Sequence, residues 1–317
     1  MMRNVNVNEP QNQQSCQTSV MVSADGLNVV SLFNGMNTGR QALENQGFNV
    51  NKYYSSEIKP YAIELTQHHF PDTIQVGDVT KWKDWDIDWK SIDLILSGSP
   101  CQDLSIAGKS AGINGSKSSL FFTFIEIYNH TKELNPNVIF FQENVGSANV
   151  TDIGIMSRSL GLYPTRINSD LVVAASRDRY YWTNIRTKRT MFDVVTDIPE
   201  PKDRKIMFKD IITDGFTDRK KSTAIMERYH GSFYNDESSE NAQKYIISRD
   251  SIGMCPIVYL PGGKARTLNK IEMCRLQGFK DNYCDILSKK DAASLLGDGW
   301  TLPIVEHIFS FMHKTKH

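Results

Sequence analysis

Short apolar runs alternate with amphipathic segments over the first half of the chain. Residues 27–33, 52–56, 73–76, 92–96 and 138–141 read as strands. Residues 41–45, 59–69 and 120–134 carry apolar positions at helical spacing. Strands separated by helices predict βαβ units, so the expected fold is α/β with a mostly parallel, Rossmann-like sheet. The alternation fades after Ile185 and resumes near Ile257, and residues 302–311 read as a closing helix with Pro303 in its first turn. Residues 1–27 are rich in Asn, Gln and Ser without apolar periodicity and read as a disordered arm. The expected organisation is therefore an arm (1–27), a main domain (28–185 and 256–317) and a small insert (186–255).

Composition narrows the class. The chain has 317 residues, 40% hydrophobic and 23% charged, within the range of a soluble globular protein. Its formal net charge is zero, so any contact with nucleic acid must come from a local basic patch. Five scattered cysteines and no CxxC pair argue against a disulfide framework and against structural zinc, and no metal is expected. No apolar run is long enough for a bilayer, which points to a cytoplasmic protein with no membrane partner.

In open α/β sheets, ligands gather at the carboxyl ends of strands. Asn34, Glu57, Asp78, Cys101 and Glu143 all fall at such ends. The loop Phe33-Asn34-Gly35-Met36-Asn37-Thr38-Gly39 follows the first strand, and its glycines allow close approach of a ligand. Glu57 at the tip of the second strand suits a ribose diol, and Asp78 suits an adenine amino group; each alone is equally a solvated carboxylate. Cys101 follows Pro100 in SGSPCQDLSIAGKSAG, where a thiolate would be a soft nucleophile, although a free cysteine is often simply core. Glu143 could donate a proton beside it. Arg177 and Arg179, two apart, share a face and could hold an oxygen; surface salt bridging is the plainer reading of both.

Taken in order, these segments resemble the DNA (cytosine-5) methyltransferases. The matching stretches are SLFNGMNTG, SSEIKP, VGDV, GSPCQDLSIAGK, ENV at Glu143-Asn144-Val145, RDRYYWTNI, ARTLNKIEMCRLQGF and GDGWTLPIV. The likeness runs from about Leu27 to the C-terminus outside the insert, and its wording is most like the short phage and prophage enzymes. Asn34, Gln142, Ala175, Ser176 and Asp298 depart from the commoner family wording.

The resemblance implies a class I S-adenosylmethionine-dependent fold with S-adenosyl-L-methionine as methyl donor. It implies that Cys101 adds to carbon 6 of a flipped-out cytosine while Glu143 hydrogen-bonds ring nitrogen 3. Arg179 would hold the carbonyl oxygen, Arg177 would brace the loop, and Asn144 would position the pocket. Phe33, Asn34, Gly35, Met36, Thr38, Gly39, Glu57, Ile58, Asp78, Val79, Pro100, Leu120, Asp298 and Trp300 would hold the cofactor. Gln102 and Ser105 would close on the base. The insert would recognise the target in double-stranded DNA, with Arg219, Lys220 and Lys221, and also Arg186, Lys188 and Arg189, as its basic clusters. A monomer is expected. The alternatives are a transfer-RNA cytosine-5 methyltransferase and a non-catalytic DNA-binding regulator on the same fold.

Overall fold

The computed structural model describes residues 17–22, 25–100, 120–226, 239–251 and 255–314. Cys101, Gln102 and Ser105 lie outside these residues. The chain begins with two short strands, β1 (Gln17–Ser19) and β2 (Met21–Val22), followed by β3 (Leu27–Leu32) and helix α1 (Thr38–Asn45). Next come β4 (Val50–Ser56), α2 (Pro60–His69), β5 (Ile74–Gln75) and β6 (Leu94–Ser97). Helix α3 (Leu120–Leu134), β7 (Ile139–Val145), α4 (Val150–Leu160), β8 (Thr165–Asn168) and β9 (Asp178–Thr183) complete the main sheet. It has seven strands in the order β5-β4-β3-β6-β7-β9-β8. The first five positions run parallel, and β9 is antiparallel to both β7 and β8.

The sheet is buried on both faces, which explains the unbroken apolar runs of its central strands. Val29, Leu94, Leu96, Ile139 and Phe141 face one core with α1 and the C-terminal helices. Val30, Ile95, Phe140 and Trp182 face a second core with α3 and α4. The chain leaves β3 toward β4 on one side, while β6 lies on the other. That change of direction opens a crevice at the carboxyl ends of β3 and β6.

The remaining elements are β10 (Arg186–Arg189), β11 (Val194–Thr196), α5 (Glu240–Ser251), β12 (Ile257–Leu260), β13 (Lys264–Thr267), α6 (Lys270–Leu276), α7 (Lys289–Asp298), α8 (Leu302–Phe309) and β14 (His313–Lys314). Two expectations change here. Residues 17–22 are not a loose arm: β1 pairs with β10, and β2 pairs with β14 at the other end of the chain. The segment after Ile185 does not leave the main body at once either. Ile198, Phe208, Ile211 and Ile225 pack in the same core as Val29 and Leu96. A separate small core begins later, where Ile246 of α5 meets Cys255, Ile257 and Ala265. Gln243 joins helix to hairpin there, its side chain both donating to and accepting from the backbone of Ala265 at 2.7 Å.

Candidate active site

The crevice is a cavity of about 320 Å³, within the range of small-molecule sites. One wall is the loop after β3. Its backbone enters the left-handed region three times, at Phe33 (φ 56°), Gly35 (φ 56°) and Asn37 (φ 62°). Two of these are not glycine, and such strain persists where surrounding bonds hold it. Asn34 supplies part of that hold, donating from its amide to Thr66 and accepting from the Tyr53 hydroxyl, each at 3.3 Å. The departure at Asn34 therefore has a structural reason, since both bonds form without a buried charge.

Glu57 closes the base of this wall. Its Oε2 accepts from Gly35 N–H at 2.8 Å, and its Oε1 accepts from Ile58 N–H (2.8 Å) and Lys59 N–H (3.0 Å). A carboxylate aimed by three backbone amides needs little reorganisation to accept from a ligand diol. Asp78 accepts from the Thr80 amide and hydroxyl, both at 2.9 Å, and these bonds hold its carboxyl below the ordinary value. Phe33, Gly35, Met36, Thr38, Ile58, Val79, Pro100, Leu120, Asp298 and Trp300 line the same cavity. Gly39 does not. A Cβ there would overlap Leu96 and sit 3.2 Å from the Tyr53 hydroxyl, so this glycine lets α1 pack against the sheet.

Glu143 and Arg179 form the far end of the cavity. On the antiparallel pair β7–β9, Glu143 is opposite Tyr181 and Arg179 is opposite Val145. The two are thus diagonal neighbours on one face, and Arg179 Nε lies 2.9 Å from Glu143 Oε1. Burial pushes the Glu143 carboxyl above the usual glutamate value, opposed by Arg179, Arg177 and a hydrogen bond from Trp300. A carboxyl raised in this way is suited to share or donate a proton. Asn144 points to the opposite face and accepts from Val145 N–H at 2.8 Å, so it steadies the strand end without lining the cavity.

Arg177 is buried, and burial, followed by the charge of Arg179, pulls its pKa down to about 10. It donates to the carbonyl oxygens of Gly297 (2.8 Å) and Gly299 (2.9 Å), clamping the turn that carries Asp298 and Trp300. Trp300 in turn fills the space above Gly98, where a Cβ would lie 2.5 Å from the indole nitrogen. The sequence reading missed Lys59, Ser99, Gly98 and Gly297 as cavity residues. Gly98 and Ser99 had a signal, since they belong to the small-residue turn before Cys101. Lys59 did not, because its partner Asp298 is 239 residues away. That pair spans the cleft mouth at 3.0 Å. Burial opposes the Lys59 charge, but the Asp298 carboxylate outweighs it and raises the lysine pKa.

The basic clusters divide. Lys221 is not a free cation for DNA: its ammonium donates to the carbonyls of Asp170, Val173 (3.1 Å) and Ile206 (2.6 Å). Lys220 is exposed, and Arg219 is half-buried beside Asp218. Arg186, Lys188 and Arg189 follow Asn184, whose side chain bonds Phe140 N–H and the Val138 carbonyl at the amino end of β7. They lie on β10, the central strand of the separate three-stranded sheet β1-β10-β11, near the amino end of β7 and so away from the cleft, with Arg186 held by Asp197 and its guanidinium over the Phe311 ring.

A family model described as C-5 cytosine-specific DNA methylase matches residues 27–155. The type II methyltransferase M.NlaIV of Neisseria lactamica is 36% identical over 120 residues, covering 37% of this chain and 27% of that protein. This chain therefore spans only about a quarter of that relative's length. The type II methyltransferase M.HpaII of Haemophilus parainfluenzae is 26% identical over 328 residues, covering 87% and 86% of the two chains. The solved methyltransferase EhMeth of Entamoeba histolytica superposes with a TM-score of 0.60 at 17% identity, covering 90% of this chain and 97% of that one, which shows a shared fold. The segment that matches the C-5 cytosine-specific DNA methylase family model, residues 27–155, supplies the five strands of the parallel part of the sheet and much of the crevice lining, so it is this part of the chain that is similar to that family.

Proposed function

We propose that this protein is a DNA (cytosine-5) methyltransferase that modifies a flipped-out cytosine in double-stranded DNA through a covalent adduct with Cys101. The observation that carries this reading is the Glu143–Arg179 pair at one end of the same cavity that Glu57 and Asp78 line. A proton-donating carboxyl and a guanidinium side by side match the ring nitrogen 3 and carbonyl oxygen of cytosine. Glu57, Asp78 and Phe33 match the ribose, adenine amino group and purine face of S-adenosyl-L-methionine. When bound, that cofactor supplies an electrophilic methyl group.

The protein's own residues then have distinct tasks. Addition of the Cys101 thiolate at carbon 6 makes carbon 5 enamine-like, and a proton or hydrogen bond from Glu143 disperses the charge that develops. Arg179 holds the base in place while remaining paired with Glu143, and Arg177 fixes the Gly297–Trp300 turn from behind. Unstacking the base costs a few kcal/mol, supplied by contacts to the extruded nucleotide. The same reading makes the protein a cytoplasmic monomer that contacts DNA through a local patch.

Bisulfite sequencing of DNA from cells expressing the protein tests the proposal. The expected result is 5-methylcytosine at a recurring sequence, absent when Cys101→Ala is expressed. Methyl incorporation into transfer RNA with unmodified DNA would overturn the assignment of substrate.

A further inference from the structure

The charged groups that line the cleft are not held alike. Glu57 is satisfied by three backbone amides, Asp78 by Thr80, and Glu143 and Arg179 by each other. Lys59 and Asp298 differ. They come from opposite walls, the loop after β4 and the end of α7, and meet at the mouth through one Nζ–Oδ2 contact of 3.0 Å. Their side chains remain 39% and 67% exposed. An ion pair this open to solvent adds little to stability, so exchanging it for another pair of charges costs little.

We propose that Lys59 and Asp298 are the specificity pair for the zwitterionic amino-acid end of the cofactor. On binding, Lys59 takes the ligand's carboxylate and Asp298 its ammonium. The inference rests on reading the cleft as an adenosyl site. An α-amino acid carries its two opposite charges on one carbon, and a lysine and a carboxylate in contact with each other present the complementary pair of charges. It also accounts for two sequence features together. Asp298 is the one residue of GDGW that departs from the family wording, and Lys59 is the cation that complements it.

Equilibrium dialysis of the full chain with two ligands tests this. S-adenosylhomocysteine carries the amino-acid end, and 5′-methylthioadenosine has the same nucleoside without it. Lys59→Met and Asp298→Asn should each weaken S-adenosylhomocysteine by roughly tenfold, the scale of a lost charged contact, and leave methylthioadenosine unchanged. Equal weakening of both ligands would show that the pair only shapes the cleft, and no change in either would show a solvent bridge; both results overturn the proposal. Failure of the unaltered protein to bind either ligand would instead remove the adenosyl reading of the cleft.

Discussion

Gln142 donates to the Ser99 hydroxyl at 3.1 Å, a bond that ties the strand of Glu143 to the turn leading into Cys101. The same amide donates to the Glu143 carbonyl at 2.7 Å. Gln142 is fully buried, and Ser97 stands opposite it on the neighbouring strand. The departure at Gln142 thus places a polar link between β7 and the turn at Ser99, where an apolar residue would leave them joined by the ladder alone. Gln142→Met should strand the Ser99 hydroxyl, lower stability by about 1–3 kcal/mol and slow methyl transfer more than it weakens cofactor binding. Urea unfolding and steady-state kinetics check this; unchanged turnover would show that the link has no part in positioning.

Glu143 should make stability depend on pH in a defined direction. Its folded carboxyl is raised above the unfolded value, so the folded state binds the proton more tightly. That contribution is full below the ordinary glutamate pKa and is lost as pH rises through the raised folded value. Glu143→Gln should abolish this fall and reduce methyl transfer by about 100-fold or more. Unfolding free energies measured across that window would contradict the expectation if the two proteins ran parallel.

Arg177→Lys keeps a charge but loses the fork that reaches Gly297 and Gly299 together. The expected cost is about 2 kcal/mol of stability, with weaker binding of S-adenosylhomocysteine because Trp300 is no longer fixed. Calorimetry showing native affinity would mean that the turn holds itself.

The basic residues give a contrast. Alanine at Lys221 should destabilise the protein by about 2 kcal/mol, because three carbonyls lose their donor. Alanine at Arg186, Lys188 and Arg189 together should leave DNA affinity and its salt slope unchanged. Alanine at Lys220 or at Arg219 should flatten the slope by about 0.9 for each that contacts a phosphate, and leave it unchanged for each that does not. Filter binding over a salt series separates these outcomes.

Much of this molecule is legible in its sequence, for physical reasons. Strands buried on both faces appear as apolar runs, so the runs at 27–33 and 92–96 coincide closely with β3 and β6. Carboxylates in or just after apolar strands, such as Glu57 after β4 and Glu143 near the end of β7, stand out in the sequence. Pairing between distant segments leaves no such trace. The polar Gln17–Ser19 becomes a strand only because β10 receives it, and Lys221 turns inward only because the 169–177 loop offers carbonyls. Ile198, Phe208, Ile211 and Ile225 reach the main core at irregular spacing, which no periodicity reveals. Gly39 was legible as a loop glycine, but its closeness to Leu96 depends on the packing of α1 on β6.

The most direct test of covalent catalysis is a DNA duplex with 5-fluorocytosine at the target position, incubated with the protein and S-adenosyl-L-methionine. Fluorine blocks the final loss of a proton from carbon 5, so the attacking residue stays bonded to the base. A denaturation-resistant complex should form, and mass spectrometry of the digest should place the nucleotide on Cys101. A complex formed equally by Cys101→Ala, or none formed by the unaltered protein under conditions where it methylates normal DNA, would contradict a Cys101 adduct.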